Sequence, residues 1–204
     1  TNYENQLDKA FDYYKQYGVH AVKTGYVNPY LDNKEFHDGQ FGVRHYRKVV
    51  ETAAKYQIMI DNHEPVMPTG IQRTWPNLMT QEGIRGQEYD AWSNDGGSPP
   101  SHTTIFPFLR GLAGPMDFTP GTFNFTNPTR KDTRVRTTIA KQLALFVVVY
   151  SPLQMASDAP HNYQGVKAFD FIKSVPTSWE KTFVPDAKIG EYAIFARKDR
   201  NSEN

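Results

Sequence analysis

The chain has 204 residues, with 23 Lys and Arg, 22 Asp and Glu, six His and no cysteine. The near-balanced charge argues against a general nucleic-acid or anionic-membrane binder, because such proteins need an uncompensated basic surface. Without cysteine there is no disulfide framework, thiolate metal site or cysteine nucleophile. The longest apolar run, residues 143–150, is far shorter than the roughly 20 residues of a membrane span. Since Thr1 is not a natural start, we expect a fragment of a longer protein.

Two helix-then-strand units open the chain. Apolar residues at three- and four-residue steps predict a first helix that ends at Gly18, and a strand follows at residues 19–23. After a polar loop at residues 28–40, a second helix over residues 43–54 leads into a strand at residues 57–61. The two units in succession predict parallel strands, because a parallel connection needs a crossover helix.

The rest of the chain is predicted to be rich in loops, with short elements between them. In chain order these are strands at 77–80 and 114–118, a helix at 137–150 that Pro152 ends, a strand at 153–156, a helix at 166–174 and a strand at 191–197. The last strand alternates apolar and polar residues, which is typical of a half-exposed antiparallel strand.

Strands that end in polar residues and alternate with helices predict part of a (β/α)8 barrel. In that fold the chemistry lies at the C-terminal strand ends. Five such units are too few to close an eight-stranded barrel. The alternative is an open, doubly wound sheet, which we favour less because no glycine-rich phosphate loop follows any strand.

Acidic residues stand out at and after these strand ends. Residues 61–64 are Asp-Asn-His-Glu directly after an apolar strand, where burial without partners would cost several kcal/mol; a helix N-cap cluster is the alternative. Glu64, Glu82 and Glu88 each lie in a loop beside Gly or Pro. Three such carboxylates suit a hard cation site, a general acid/base pair, or both. Zinc is disfavoured, because there is no His-Glu-x-x-His and the histidines are scattered.

Other residues near the strand ends leave two interpretations open. Lys23, in an apolar strand, either reaches a polar pocket or extends its ammonium to water at a sheet edge. Asp117 and Asp158 either bind a sugar hydroxyl or cap a turn. Three aromatic residues of the same loops either stack on pyranose rings or belong to the core: Trp75, Tyr89 and Trp92.

Six segments, in order, closely resemble glycoside hydrolase family 97, which includes the α-glucosidases of Bacteroides-type starch-utilisation systems. They are VKTGYV (22–27), IDNHEP (60–65), MTQEGIRGQEY (79–89), AGPMDFTPG (113–121), AKQLA (140–144) and YSPLQM (150–155). The resemblance implies an N-terminal β-sandwich, a central (β/α)8 barrel and a C-terminal β-domain. By that likeness, residues 1–188 are the C-terminal part of the barrel, about strands 4–8, and residues 189–204 begin the C-terminal β-sandwich domain.

The same resemblance implies roles for individual residues. Glu88 matches the general acid, and Glu64 matches the glutamate that acts as general base and binds Ca²⁺. Glu82 matches a further calcium ligand, so that the expected metal set is Glu64, Glu82 and Glu88. Lys23 and His63 match sugar-contacting positions. The missing N-terminal domain and first barrel half are expected to complete the site.

Gly25 matches the position at which the retaining α-galactosidase branch carries an aspartate nucleophile, although a turn that requires positive φ would also explain a glycine. The resemblance therefore implies a calcium-dependent, inverting exo-α-glucosidase of the periplasm that releases glucose from oligosaccharides. The alternatives are an α-galactosidase of the same family, a non-catalytic carbohydrate-binding relative, and a metal-dependent barrel hydrolase acting on amides or phosphates.

Overall fold

A computed structural model describes residues 1–202, which divide into two compact units. The first unit comprises Thr1–Gly83 and Ala113–Pro115, and the second comprises Ile84–Leu112 and Met116–Asn204. The last two residues of the predicted 189–204 domain lie outside the described residues. No helix within residues 1–202 is long and apolar enough to cross a membrane.

The first unit is an α/β structure built on a parallel sheet. Its elements are a 3-10 helix Glu4–Gln6, α1 Leu7–Gln16, β1 Ala21–Thr24, β2 Tyr30–Leu31, β3 Glu35–Phe36, α2 Gln40–Lys55, β4 Met59–Asn62, a 3-10 helix Ile71–Arg73 and β5 Leu78–Gln81. The parallel sheet has the order β1–β4–β5, while β2 and β3 form a small antiparallel pair. The predicted parallel strands are therefore confirmed, with α2 as the crossover between β1 and β4.

The core of the first unit lies between the two helices and the sheet. Phe11 is fully buried and stacks on Tyr56, with ring centroids 6.3 Å apart. Burial of one such side chain stabilises a fold by about 1.5–3 kcal/mol. The buried apolar residues of this core are Leu7, Phe11, Val49, Val50, Ala53, Ile58, Ile60 and Leu78. Because they join both helices to β4 and β5, and the partly buried Val22 of β1 packs against them, this packing fixes where the strands end.

From residue 84 onwards the chain is mostly short helices and loops. The elements are 3-10 helix Gln87–Ala91, α3 His102–Ile105, 3-10 helices Phe106–Phe108 and Arg110–Ala113, α4 Ile139–Val148, α5 Pro160–Tyr163, α6 Phe169–Ser174, β6 Trp179–Lys188 and β7 Tyr192–Asp199. Thr138 is the N-cap of helix α4, and its hydroxyl oxygen accepts a hydrogen bond from the Lys141 N–H at 3.2 Å. This cap gives a hydrogen-bond acceptor to one of the backbone N–H groups that have no partner within the first turn of a helix.

The predicted strands at 114–118 and 153–156 are wrong, because neither segment is a strand. Single backbone bonds replace a ladder: the Met116 N–H donates to the Tyr150 carbonyl at 3.0 Å. The physical reason is that Pro115 lies in the first segment and Pro152 directly precedes the second. Proline has no N–H to give to a ladder, so its presence breaks a short pairing.

Strands β6 and β7 form an antiparallel hairpin. The predicted antiparallel strand at 191–197 corresponds to β7, and its partner β6 was not predicted. The Arg197 guanidinium joins the hairpin to α4 by donating to the carbonyls of Val147 and Val148 at 2.5 and 3.1 Å. These are among the last carbonyls of the helix, where a cation is favourable. The expected domain boundary at 188/189 lies in the hairpin turn, and the domain division stays a prediction.

Candidate active site

The three parallel strands bring the predicted site residues of the first unit to one edge. Backbone pairing continues one residue past the ends of β4 and β5. The His63 N–H donates to the Thr24 carbonyl at 2.6 Å, and the Glu82 N–H donates to the Asn62 carbonyl at 2.8 Å. The residues that follow β1, β4 and β5 are therefore held side by side, as expected for parallel strands.

Glu64 and Glu82 are direct neighbours at this edge. The Glu64 N–H donates to Oε2 of Glu82 at 3.2 Å, and Oε2 of Glu64 accepts the Tyr26 N–H at 2.5 Å. Glu82 is 5% exposed, whereas Glu64 is half-buried. Both acidic residues therefore lie at the strand ends, where the sequence places them, and their roles stay predictions.

His63 lies between two carboxylates and is buried. Its Nδ1 is 3.4 Å from Oε2 of Glu82, and its Nε2 is 3.8 Å from Oδ2 of Asp61. Asp61 is fully buried in β4 and pairs in register with the exposed Lys23 of β1. Asp61 belongs to the polar cluster at residues 61–64, and the sequence analysis assigns it no catalytic or binding role. The signal for it was an acidic residue inside an apolar strand.

Gly25 is required for space and not for backbone conformation. Its φ lies outside the left-handed region, so the alternative explanation of Gly25 as a positive-φ turn is wrong. A Cβ at this position would lie 2.9 Å from Oε2 of Glu64 and 3.0 Å from Cβ of His63. The Glu64 carboxylate therefore lies so close to the backbone at position 25 that only glycine fits there without a shift of its neighbours.

The donor atoms at this edge suit a hard cation. Asp61 and Glu82 place carboxylate oxygens, which Ca²⁺ prefers, at 3.8 and 3.4 Å from the His63 imidazole, and Glu64 adds a further carboxylate at the same edge. Zinc prefers sulfur and nitrogen ligands, and this chain has no cysteine. The residues present therefore fit calcium better than zinc.

Glu88 belongs to the second unit, where it is the second residue of 3-10 helix Gln87–Ala91 and is half-buried. Its neighbours anchor that helix. The Gln87 N–H donates to the Phe118 carbonyl at 2.9 Å, and a carboxylate oxygen of Asp90 accepts the Ser98 N–H at 2.5 Å. Burial raises the pKa of Asp90, and the Ser98 bond opposes that rise. The backbone on both sides of Glu88 is thus fixed.

A buried amide network supports the same helix. Nε2 of Gln142, on α4, donates to Oε1 of Gln87 at 2.9 Å, while Nε2 of Gln87 donates to the hydroxyl of Thr122 at 2.7 Å. Oε1 of Gln142 accepts the Gly121 N–H at 2.7 Å. Gln142 is 1% exposed, so its hydrogen bonds are shielded from solvent and stabilise one arrangement. Sequence reasoning missed it, and the one signal was a glutamine within an apolar helix.

The remaining candidates divide between structural and exposed positions. Asp117 accepts the N–H of Thr119 at 2.9 Å, and Asp158 accepts N–H groups of Phe123 and Asn124 at 2.7 Å, which are turn and loop contacts. Trp75 packs against the core of the first unit. Two aromatic residues of the second unit stay exposed with ring centroids 5.4 Å apart: Tyr89 (41%) and Trp92 (50%).

Comparison with known proteins identifies the family. The family model "Glycoside hydrolase 97" matches residues 1–84. A family 97 enzyme from Pseudoalteromonas sp. strain K8, solved in complex with panose, is 44% identical over 100% of this chain and 32% of its own, with a TM-score of 0.89. The chain belongs to glycoside hydrolase family 97.

Two further comparisons bear on substrates. An enzyme from the same Pseudoalteromonas strain, solved in complex with acarbose, is 45% identical with a TM-score of 0.89, again over 100% of this chain and 32% of its own. The retaining α-galactosidase of Bacteroides thetaiotaomicron is 31% identical over 96% of this chain and 29% of its own length. The chain therefore spans about a third of the length of these relatives.

Proposed function

We propose that this chain is part of a calcium-dependent, inverting exo-α-glucosidase that releases glucose from the non-reducing ends of α-glucosides. In this proposal the parallel strands belong to a (β/α)8 barrel, about strands 4–8, and residues 189–204 begin a C-terminal β-domain. Because the relatives are about three times longer, an N-terminal domain and the first half of the barrel would complete the site. A periplasmic location is part of the proposal, and cell fractionation tests it.

One geometric observation carries the assignment to the inverting branch. The Glu64 carboxylate occupies the space that a side chain at position 25 would need. A retaining glycosidase requires a carboxylate nucleophile against the anomeric carbon, whereas an inverting one requires a carboxylate that activates water from further away. The retaining branch is expected to carry its nucleophile at position 25. A glycine there, with Glu64 beside it, supports a base that acts through water.

The proposed roles follow from the positions of the side chains. Glu64 takes a proton from the attacking water, and Glu88 gives a proton to the glycosidic oxygen as the bond to the anomeric carbon breaks. Lys23 and His63 contact the sugar. His63 is held for this role between Asp61 and Glu82.

Calcium is proposed to bind through Glu64, Glu82 and Glu88. When bound, the ion supplies positive charge at the site. We expect activity of the full-length protein to fall with EGTA and to return with Ca²⁺, and we expect Ca²⁺ to raise its melting temperature by mass action. Glu82→Gln should increase the Ca²⁺ concentration needed for both effects. Full activity after exhaustive chelation would contradict the metal proposal.

The α-glucoside preference is supported by the relatives solved with panose, which is built of α-linked glucose, and with acarbose. The second candidate function is a retaining α-galactosidase, since the Bacteroides thetaiotaomicron relative has that activity in its name. Glucose and galactose differ in the configuration of one hydroxyl, so the same catalytic carboxylates could hydrolyse either glycoside. A non-catalytic carbohydrate-binding protein is less favoured, because carboxylates are present at positions 64 and 88.

The decisive experiment is NMR of the first-formed sugar, with 4-nitrophenyl α-glucoside and 4-nitrophenyl α-galactoside as parallel substrates, because all of the sugar released from them comes from the cleaved bond. We expect hydrolysis of the glucoside with β-glucose released before mutarotation, and little hydrolysis of the galactoside. If α-glucose appears first, Glu64 does not act through water and the inverting assignment is wrong. If the galactoside is the better substrate, the α-galactosidase candidate replaces the proposal. Sugar binding without turnover of either substrate would support the non-catalytic relative.

A further inference from the structure

Glu64 has an unusual backbone conformation. Its φ is 46°, which lies in the left-handed region that non-glycine residues seldom adopt. Such a conformation costs on the order of 1–3 kcal/mol and persists only where the surroundings impose it. The conformation matters here because it carries the side chain of Glu64 back towards β1, where the carboxylate accepts the Tyr26 N–H.

Two side chains hold the carbonyl oxygen of Glu64. The hydroxyl of Tyr46, a buried residue of α2, donates a short hydrogen bond to it, and Nδ1 of His37 lies 2.7 Å from it. With Nδ1 protonated, His37 is the second donor. The loop that carries His37 packs tightly on α2, since a Cβ on Gly42 would lie 1.9 Å from the His37 carbonyl oxygen. The two donors are therefore supported independently of Glu64.

The residue that binds the Glu64 carboxylate, Tyr26, is held by the same helix, α2. The Tyr26 ring lies edge-on to the Tyr46 ring, with centroids 5.9 Å apart, and its hydroxyl bonds Nε2 of His45. Nδ1 of His45 in turn lies 2.9 Å from a carboxylate oxygen of Glu4. Consecutive residues of α2 thus fix the carbonyl of Glu64 directly and the partner of its carboxylate indirectly.

We propose that Tyr46 and His37 are positioning residues that hold Glu64 in its left-handed conformation and thereby aim its carboxylate. The inference rests on the proposed function, in which Glu64 is the general base. A base has to lie within hydrogen-bond reach of the proton that it takes. A displacement of about 1 Å at such a group costs on the order of 10²-fold in rate. Loss of the two donors should therefore affect turnover much more than substrate binding.

The test uses the full-length protein and kinetics on its best substrate. Tyr46→Phe and His37→Ala are each expected to lower kcat by about 10- to 100-fold while KM changes less than about threefold. His37→Asn retains an N–H near the position of Nδ1 and should recover most of the lost kcat. Tyr56→Phe is the matched control, because Tyr56 directly follows α2 but its hydroxyl bonds Asp8 of α1 at 3.2 Å; its kcat should equal that of the wild type.

A crystal structure of the Tyr46→Phe variant gives a second readout that does not depend on turnover. We expect φ of Glu64 to leave the left-handed region and its carboxylate to separate from the Tyr26 N–H. An unchanged Glu64, or a kcat equal to that of Tyr56→Phe, would overturn the inference. Failure of the wild type to hydrolyse any α-glycoside would instead overturn the proposed function, and the crystal structure would still decide whether the two donors hold Glu64.

Discussion

Glu88→Gln in the full-length protein should lower kcat on maltose by about 10²- to 10⁴-fold, the usual contribution of a general acid. Glutamine keeps the size and shape of the side chain but has no proton of suitable acidity to give. The loss should be much smaller on 4-nitrophenyl α-glucoside, because that leaving group departs with little protonation. Parallel steady-state kinetics on the two substrates measure this difference.

The matched control for that substitution is Glu191→Gln in the hairpin turn. Glu191 is exposed and pairs with Lys188, so the same chemical change there should leave both rates unaltered. Equal losses on the natural and the activated substrate would indicate that Glu88 binds the sugar or the cation and does not donate the proton. Unaltered kcat on maltose would remove Glu88 from the chemistry.

The second large effect is expected from Gly25→Ala. The added methyl would lie 2.9 Å from Oε2 of Glu64, which is the far end of a flexible side chain and is able to move. We therefore expect the protein to remain folded, with a melting temperature close to that of the wild type. The displaced carboxylate should lower kcat on the order of 10²-fold. Steady-state kinetics together with thermal melting separate this result from unfolding.

A double-mutant cycle identifies the cause of that loss. Glu64→Asp shortens the side chain by one methylene and withdraws the carboxylate from position 25. In that background Gly25→Ala should cost little further activity, so the two substitutions should be strongly non-additive. Additive losses would mean that the methyl acts on another neighbour, such as Cβ of His63 at 3.0 Å.

The sequence was sufficient to predict the parallel strands that Glu64 and Glu82 follow, for a simple physical reason. Each follows an apolar strand, the intervening connections favour parallel pairing, and parallel strands end at one edge of a sheet. The same reasoning could not predict the residues that support the site, such as Tyr46 and Gln142. Tyr46 contacts a residue 18 positions away, and Gln142 contacts one 55 positions away. No local pattern encodes such pairs.

The hairpin gives a second case of partial prediction. The alternation in β7 was sufficient to predict an antiparallel strand, but its partner β6 carries Pro185, which normally argues against a strand. The structure accommodates the proline where the pairing register shifts, between Phe183 and Asp186. A bulge of this kind leaves the proline out of the ladder. The sequence does not mark such an irregularity in advance.

The contacts of Gln87 carry a consequence for the order in which the second unit folds. The side chain of Gln87 bonds Gln142, 55 residues on, and Ser157, 70 residues on. Closing such long segments costs chain entropy before the contacts compensate for it. The 3-10 helix with Glu88 should therefore become ordered only after α4 and the segment beyond it have packed. Pulsed hydrogen exchange during refolding should find the Gln87 amide protected later than the amides within α4. The position of Glu88 would then be established late in folding.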